Sequence, residues 1–371
     1  MKDMKILIAG AGPAGLYLAY LVKRQVPGAV VRIVEQNSRD STFGFGVVFS
    51  DRALEFLRAD DPETCDLITP AMESWTNLTV VHRGAPVVVD GIGFAAIGRL
   101  AFLRLLRQRL SSVGVVPEYE KPLTSTVEFG QFDLVVAADG ANSYVRRSAD
   151  FGTTVTPLTN KFAWFGTTRL FETLTQTFVR NDAGTFNAHH YRHASGMSTF
   201  VFECDAATWV RAGFERMDEA TTLAYGERVF ADTLQGHRLV SNKSIWRNFP
   251  NIRNARWSVG NVVLIGDAQR TAHFSIGSGT RLALEDALAL AKCLVEFKGE
   301  LPEALRAFEA RRRPVVDKLV AAADASAQWY ERFPERMELA PRDFAWSYIQ
   351  RSGRIDPGQL RQVAPKFVAG A

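Results

Sequence analysis

Gly10, Gly12 and Gly15 form a G-x-G-x-x-G loop, Gly10-Ala11-Gly12-Pro13-Ala14-Gly15. It stands directly after the apolar run Met4-Lys5-Ile6-Leu7-Ile8-Ala9 and directly before the helical run Leu16 to Val22. Gly10 permits a tight turn, Gly12 lets backbone approach a pyrophosphate, and Gly15 allows a helix to pack closely on a strand. Past Pro13 and Ala14, the helix start offers unpaired N–H groups and the positive end of its dipole to phosphate. Glu35 closes a second apolar strand, Val30 to Val34, about 20 residues on, where an acid binds a ribose hydroxyl. The pattern predicts a dinucleotide site and leaves FAD and NAD(P) open.

Two later segments carry compatible chemistry. Asp139-Gly140 ends the buried-type strand Phe132 to Ala138, at the strand end where open α/β sheets bind ligands. Alone, that dipeptide is a common turn. Gly266-Asp267 ends the apolar strand Asn261 to Ile265, and Gly277-Ser278-Gly279 then opens a helix. Asp267 can accept hydrogen bonds from a ribityl chain. The glycine-rich helix start can donate N–H groups to a flavin pyrimidine oxygen, favouring negative charge on the reduced ring.

The elements that must hold these residues alternate in type. The βαβ opening covers about residues 4–36. Ser50-Asp51 is a plausible N-cap for a helix through Leu57, and Arg99 opens a helix with leucines at 100, 103, 106 and 110. Residues 78–89 read as two strands, and residues 158–250 as antiparallel sheet with a helix near 206–233. The expected organisation is a discontinuous nucleotide domain (1–75, 96–157 and 251–315), a β lobe (76–95 and 158–250), and a helical segment with a loosely packed tail (316–371).

The 371 residues are 47% hydrophobic and 23% charged, with a net charge of +4, as in an ordinary soluble protein. No dense basic block suggests nucleic acid, and Arg311-Arg312-Arg313 reads as a helix face or a salt-bridge site. The three cysteines, Cys65, Cys204 and Cys293, lack C-x-x-C spacing, so no disulfide framework or metal site is expected. No run approaches the ~20 apolar residues of a membrane span. A cytoplasmic monomer or homodimer is expected.

The combination of G-x-G-x-x-G, the D-G-x-x-S-x-x-R of Asp139 to Arg146, and Gly266-Asp267 followed by Gly277-Ser278-Gly279 resembles the single-component FAD-dependent aromatic hydroxylases, the family of p-hydroxybenzoate hydroxylase. Arg99 matches a family arginine lying along the FAD, and Phe308 to Pro314 matches a family helix motif. The resemblance implies an α/β fold: a Rossmann-like FAD-binding domain of GR2 type, an inserted antiparallel-sheet substrate lobe and C-terminal helices. It implies that NAD(P)H reduces FAD, that O2 adds at flavin C4a, and that the hydroperoxide hydroxylates an activated ring. With no second G-x-G-x-x-G, NAD(P)H is expected to bind transiently.

Ala268 to Gly277 departs from the family's usual Ala-His and proline pair. With the segments 43–49, 162–167 and 197–200, it resembles a narrower branch. That branch contains the bis-indole hydroxylase of violacein biosynthesis, salicylyl-CoA 5-hydroxylases and the monooxygenase half of 2-aminobenzoyl-CoA monooxygenase/reductase. No old-yellow-enzyme-like half is read here, so hydroxylation without ring reduction is expected. An aromatic acyl-CoA is the favoured substrate, with a bulky indole or other secondary metabolite next. A flavin-dependent halogenase or reductase, or a non-catalytic flavin-binding partner, are readings of other classes. His273, Phe274 and Ser275 are the candidate catalytic residues, against a capping or core role for His273. His189 and Tyr191 share a strand face and, with Trp164, are candidate substrate contacts; His190 takes the other face.

Overall fold

A computed structural model describes residues 4–370. β1 (Lys5–Ala9), α1 (Pro13–Gln25) and β2 (Val30–Val34) open the chain as a parallel β-α-β unit. β3 (Gly46–Ser50) and the short helices α2 (Glu55–Asp60) and α3 (Pro62–Ile68) follow. Then come β4 (Glu73–Trp75), β5 (Leu78–His82), β6 (Ala85–Val89), β7 (Phe94–Gly98), α4 (Arg99–Ser111) and β8 (Leu134–Ala137). Four long strands build the lobe: β9 (Thr153–Thr167), β10 (Leu174–Asn181), β11 (Gly184–Ala194) and β12 (Met197–Cys204). After α5 (Ala206–Ala212), α6 (Glu219–Val229) and α7 (Ala231–Leu234) lie β13 (Leu239–Val240), β14 (Arg247–Asn254), β15 (Ser258–Val259) and β16 (Val262–Leu264). The chain finishes in α8 (Gly279–Glu296), α9 (Leu301–Glu331), α10 (Pro341–Gln350), α11 (Pro357–Val363) and α12 (Pro365–Ala369).

The first sheet has the order β15-β16-β8-β1-β2, parallel except for β15. Ile6, Leu7 and Ile8 are all buried, as an apolar strand covered on both faces requires. Ile6 and Ile8 pack beneath α1, α4 and α8, while Leu7 and Ala9 face Phe129, Val145 and Phe151 on the other side. α1 is buried from Ala14 to Val22 because it is wedged between the sheet, α4 and α8. Both chemical turns, after β8 and after β16, therefore emerge at the same sheet edge as the glycine loop after β1.

The second sheet runs β13-β9-β12-β11-β10-β5-β6, with β14 also paired to β9. Its outer face, with Phe165, Phe186, Phe200 and Phe202, packs against Phe214 and Phe230 beneath α5 to α7. Its inner face turns toward α9, α10 and the segment before α8: Phe178 meets Trp329 and Phe344, and Phe162 meets Phe274. A third sheet, β3-β7-β4, joins the two. This is the α/β domain with an inserted sheet lobe and C-terminal helices.

Several details differ from the sequence expectations. The helix expected near 206–233 is three, because Gly213 turns left-handed (φ 79°) and Asp218 caps a new start at Thr221 N. Asp51 begins a 3-10 turn rather than a capped α-helix. The tail is not loose: α11 and α12 bury Leu360, Ala364 and Phe367, and Asp90 accepts from the Phe367 and Lys366 N–H groups. β7, β9, β14 and α9 run unbroken across the divisions expected at 95, 157, 250 and 315. Arg311 pairs with Glu296 and Arg313 with Glu309, while Arg312 reaches Glu285 and Asp286 from the buried side. No helix among the described residues is long and apolar enough to cross a membrane.

Candidate active site

The three loop glycines face different surroundings. A Cβ on Gly10 (φ +100°) would overlap Ala138 O, and one on Gly15 would overlap Gly10 O. A Cβ on Gly12 would meet nothing within 4 Å. Gly12 also caps α1 without any side-chain hydrogen bond, and the first turn holds no acid. The open space and the uncapped N–H groups of Ala14 and Gly15 together suit a phosphate. Glu35 braces this loop: Ala11 N donates to its Oε2 at 2.9 Å, and Asn37 N and Nδ2 donate to its Oε1. A carboxylate accepts further bonds, so bracing leaves it able to take a ribose hydroxyl.

The second turn is tied to the third. Asp139 Oδ2 accepts from Tyr144 N and Val145 N, while its Oδ1 is buried without a partner among the described residues. Burial raises this carboxyl above its ordinary pKa, against the hydrogen bonds from Ser143 and the backbone. Gly140 is left-handed (φ 77°), as the turn demands. Arg146 Nη1 then donates to Ala268 O, next to Asp267.

Asp267 is exposed, yet desolvation raises its pKa, opposed by Arg270 and Arg99. A carboxylate in that position is surrounded by protein and faces an open interior cleft. Arg99 shares the cleft: its guanidinium makes no hydrogen bond among the described residues, and burial lowers its pKa while Asp267 pulls the other way. Gly277 (φ 60°) turns the chain into Ser278 and Gly279, where α8 begins with no side-chain cap and no acid in its first turn. The residues present fit FAD: a phosphate cradle, a ribose acid, a cleft-facing Asp267 and a free helix start.

Above this cleft lies the lobe's inner face. In-register pairs place Gln176, His189, Val201 and Trp164 in one row, and Phe178, Asn187, Glu203 and Phe162 in the next. His273 Nδ1 is 2.8 Å from Ser275 Oγ, which is 2.7 Å from Ser326 Oγ. The His273 ring packs on Phe249, Phe274 and Tyr330, and its Nε2 makes no hydrogen bond among the described residues. Half-buried Phe162, Trp164, Phe249 and Phe274 give the cleft aromatic walls.

Residues 114–323 match a family model described as an FAD binding domain. The chain is 42% identical to salicyloyl-CoA 5-hydroxylase of Streptomyces sp., covering 96% of this chain and 71% of that protein. It is 37% identical to 3-hydroxy-4-methyl-anthranilyl-[aryl-carrier protein] 5-monooxygenase of Streptosporangium sibiricum, covering 90% of each. The chain belongs to the single-component FAD-dependent aromatic hydroxylases. It is also 35% identical to protodeoxyviolaceinate monooxygenase of Chromobacterium violaceum, over 95% of this chain and 96% of that one. Among solved structures, tetrameric 2-methyl-3-hydroxypyridine-5-carboxylic acid oxygenase shares the fold, with a TM-score of 0.72 at 20% identity over 98% and 96% of the two chains.

In this hydroxylase the expected pocket residues divide. Burial first pushes both His273 and His189 down to about 3; Arg351 adds to each shift, and His189 adds to that of His273. Both are neutral at physiological pH. Among the described residues His189 has no partner at either ring nitrogen. Tyr191 is a brace, donating its hydroxyl proton to Gly46 O at 2.9 Å. His190 faces outward, bonded to Thr177 Oγ1 and stacked on Phe200. Trp164 packs against Gly44, and its Nε1 is buried without a partner among the described residues. The sequence reading missed Arg351, whose Nη2 donates to Ser275 O at 2.8 Å, and Phe249, beside a bulge in β14. It also missed Arg270 and Asp286, a buried pair beneath the Asp267 turn. A polar residue in the apolar stripe of α8 was the available signal for Asp286.

Proposed function

We propose that this hydroxylase inserts one oxygen atom of O2 into the ring of an aromatic acyl thioester, of salicylyl- or 2-aminobenzoyl-CoA type, with NAD(P)H as electron donor. The observation that carries the reading is the joint likeness, at 42% and 37% identity, to two hydroxylases named for aromatic acyl groups on CoA or a carrier protein. The aromatic-walled cleft at Phe162, Phe249 and Phe274 supports a flat substrate. A bulky indole-derived substrate is the second reading, favoured by the 35% identity to protodeoxyviolaceinate monooxygenase.

FAD supplies the oxygen-activating chemistry when bound. The chain's residues do the rest. Gly12 and the start of α1 would hold the pyrophosphate, Glu35 a ribose hydroxyl, and Asp267 the ribityl hydroxyls. Arg99 would lie alongside as a cationic wall. The N–H groups at Gly279 would favour negative charge on the pyrimidine edge. Asp139 fixes the turn that carries Arg146 to Ala268. His273, neutral and oriented by Ser275 and Ser326, presents Nε2 for a hydrogen bond to the substrate. Phe274 and its aromatic neighbours stack the ring and exclude water.

The test is NAD(P)H oxidation by the flavin-loaded enzyme with salicylyl-CoA, 2-aminobenzoyl-CoA and their free acids, under labelled O2. The reading expects faster oxidation with the thioesters and one labelled oxygen in the product. Peroxide alone, or equal turnover of the free acids, would overturn it.

A further inference from the structure

β11 carries one residue too many near its end. Arg192 pairs with Ser198 and Ala194 with Met197, so His193 has no partner on β12 and stands in a bulge. Bulges bend a strand and re-aim the side chain of the extra residue. The His193 ring settles on two glycines, Gly46 in β3 and Gly98 in β7, which face each other in register. A Cβ on Gly46 would come within 2.5 Å of His193 Cβ, and one on Gly98 would lie 3.5 Å from its Cδ2. Glycine at both places makes room for an imidazole.

His193 is 7% exposed, and its two ring nitrogens are used differently. Thr199 Oγ1 accepts from Gly46 N at 2.9 Å, so its own proton goes to His193 Nδ1 at 3.0 Å. Burial holds the ring neutral, lowering its pKa to about 4. With Nδ1 accepting, a neutral imidazole carries its hydrogen on Nε2. That Nε2 makes no hydrogen bond among the described residues. A buried N–H donor is thus held in one orientation with no protein acceptor described for it.

The surroundings point to the acceptor. Gly98 leads directly into Arg99, whose guanidinium shares the cleft with Asp267. The Cβ directions of Gly46 and Val48 lie on one face of β3, about 7 Å apart. His193 packs at the first, and a Cβ on Gly277 would meet Val48 at 3.3 Å. The imidazole and the uncapped start of α8 therefore border the same face of β3.

We propose that His193 is a contact of the bound flavin ring, donating its Nε2 hydrogen to a ring acceptor and favouring the reduced, electron-rich form. This contact rests on the cleft being the FAD site and is independent of the substrate's identity.

The test reads the flavin itself. His193→Phe and His193→Ala remove the donor, whereas His193→Gln keeps an amide N–H at the Nε2 position. The midpoint potential of each FAD-loaded protein is measured by equilibration with a reference dye. Losing a hydrogen bond to a charged acceptor should weaken the hold on reduced relative to oxidised FAD roughly tenfold in the Phe and Ala variants, a fall of about 30 mV. The Gln variant is expected to stay close to the parent. His193→Ala carries the decision if phenylalanine disturbs the packing. A parental potential in the Ala variant overturns the proposal, as does an equal fall in the Gln variant. A parent that takes up no FAD overturns the cofactor reading and this contact with it, whereas unchanged potentials in flavin-loaded variants overturn the contact alone.

Discussion

Arg270 Nη1 lies 2.6 Å from Asp286 Oδ2, in an ion pair whose side chains are 3% and 1% exposed. Asp286 does more than neutralise one charge. Gly266 N donates to the same oxygen, Arg312 Nε donates to Oδ1, and Arg270 Nη1 also reaches Gly266 O. One carboxylate in α8 thereby fixes the turn that presents Asp267 to the cleft. Removing one partner of a buried pair leaves the other charged and unpaired, at a cost of about 3–5 kcal/mol. Asp286→Ala is therefore expected to lower stability by that order and to weaken FAD retention. Urea unfolding and the flavin-to-protein ratio measure both. A parent-like unfolding midpoint would show that the pair does not hold the turn.

The loop glycines should respond differently to the same added atom. Gly15→Ala places Cβ on Gly10 O, so it is expected to lower the melting temperature with or without added FAD. Gly12→Val adds bulk where nothing lies within 4 Å, so the apo-protein's melting temperature should stay near the parent value. FAD binding by Gly12→Val should be lost, because the side chain fills the phosphate cradle. Retention of FAD at parental affinity would mean that the cradle lies elsewhere.

The turns proposed to hold the cofactor were legible because their determinants are local. A turn, a close backbone approach and a strand-terminal acid are each written within a few residues of Gly10, Glu35 or Gly266. The pocket half depends on distant contacts: Arg351 reaches Ser275 across 76 positions, and no local spacing announces it. Strand alternation correctly separated His190 from His189 and Tyr191, but it could not say that Tyr191 is committed to Gly46. The tail misled for a local reason. Gly353, Pro357 and Pro365 read as breakers, yet Pro357 and Pro365 each begin a helix, where the missing N–H costs nothing.

That packed tail makes its own prediction. Phe367 is 3% exposed, stacks on Trp346 at 5.5 Å and lies 5.1 Å from the Arg342 guanidinium. Phe367→Ala is expected to destabilise the protein by about 3–5 kcal/mol, the usual cost of emptying a buried phenylalanine site. Chemical denaturation reads this directly, and a loss below about 1 kcal/mol would mean that the tail is dispensable for the core.

His273→Ala should separate binding from chemistry. FAD affinity is expected to hold, because no side-chain bond from His273 reaches the cradle. Product formed per NAD(P)H consumed should fall, with a roughly 10–100-fold slower hydroxylation, since misplacing a substrate by about an ångström costs that much. Burial keeps this imidazole down at about 3, so it stays neutral from pH 5 to 9. The pH profiles of parent and variant should therefore share the same limbs in that range. Equal coupling in both would remove His273 from the site.

Glu203 gives the sharpest pH test. It is 2% exposed, one oxygen accepts from Asn160 Nδ2 at 2.8 Å, and the other has no partner among the described residues. Burial first, opposed by the Asn160 hydrogen bond and reinforced by Glu331, pushes its carboxyl up to about 8. The unfolded chain releases this proton near the ordinary glutamate value of 4.5, whereas the folded chain holds it until about 8. Between those values the folded state binds more protons than the unfolded one. Rising pH therefore costs stability through that window and no more above it. Glu203→Gln keeps an oxygen for Asn160 and has nothing to ionise. Its advantage over the parent should be smallest at pH 5, grow through pH 6.5, and level off above pH 8 at the order of 1–3 kcal/mol. Melting temperatures of both proteins across that range decide it, and a difference that does not change with pH would mean that Glu203 is ionised in the fold.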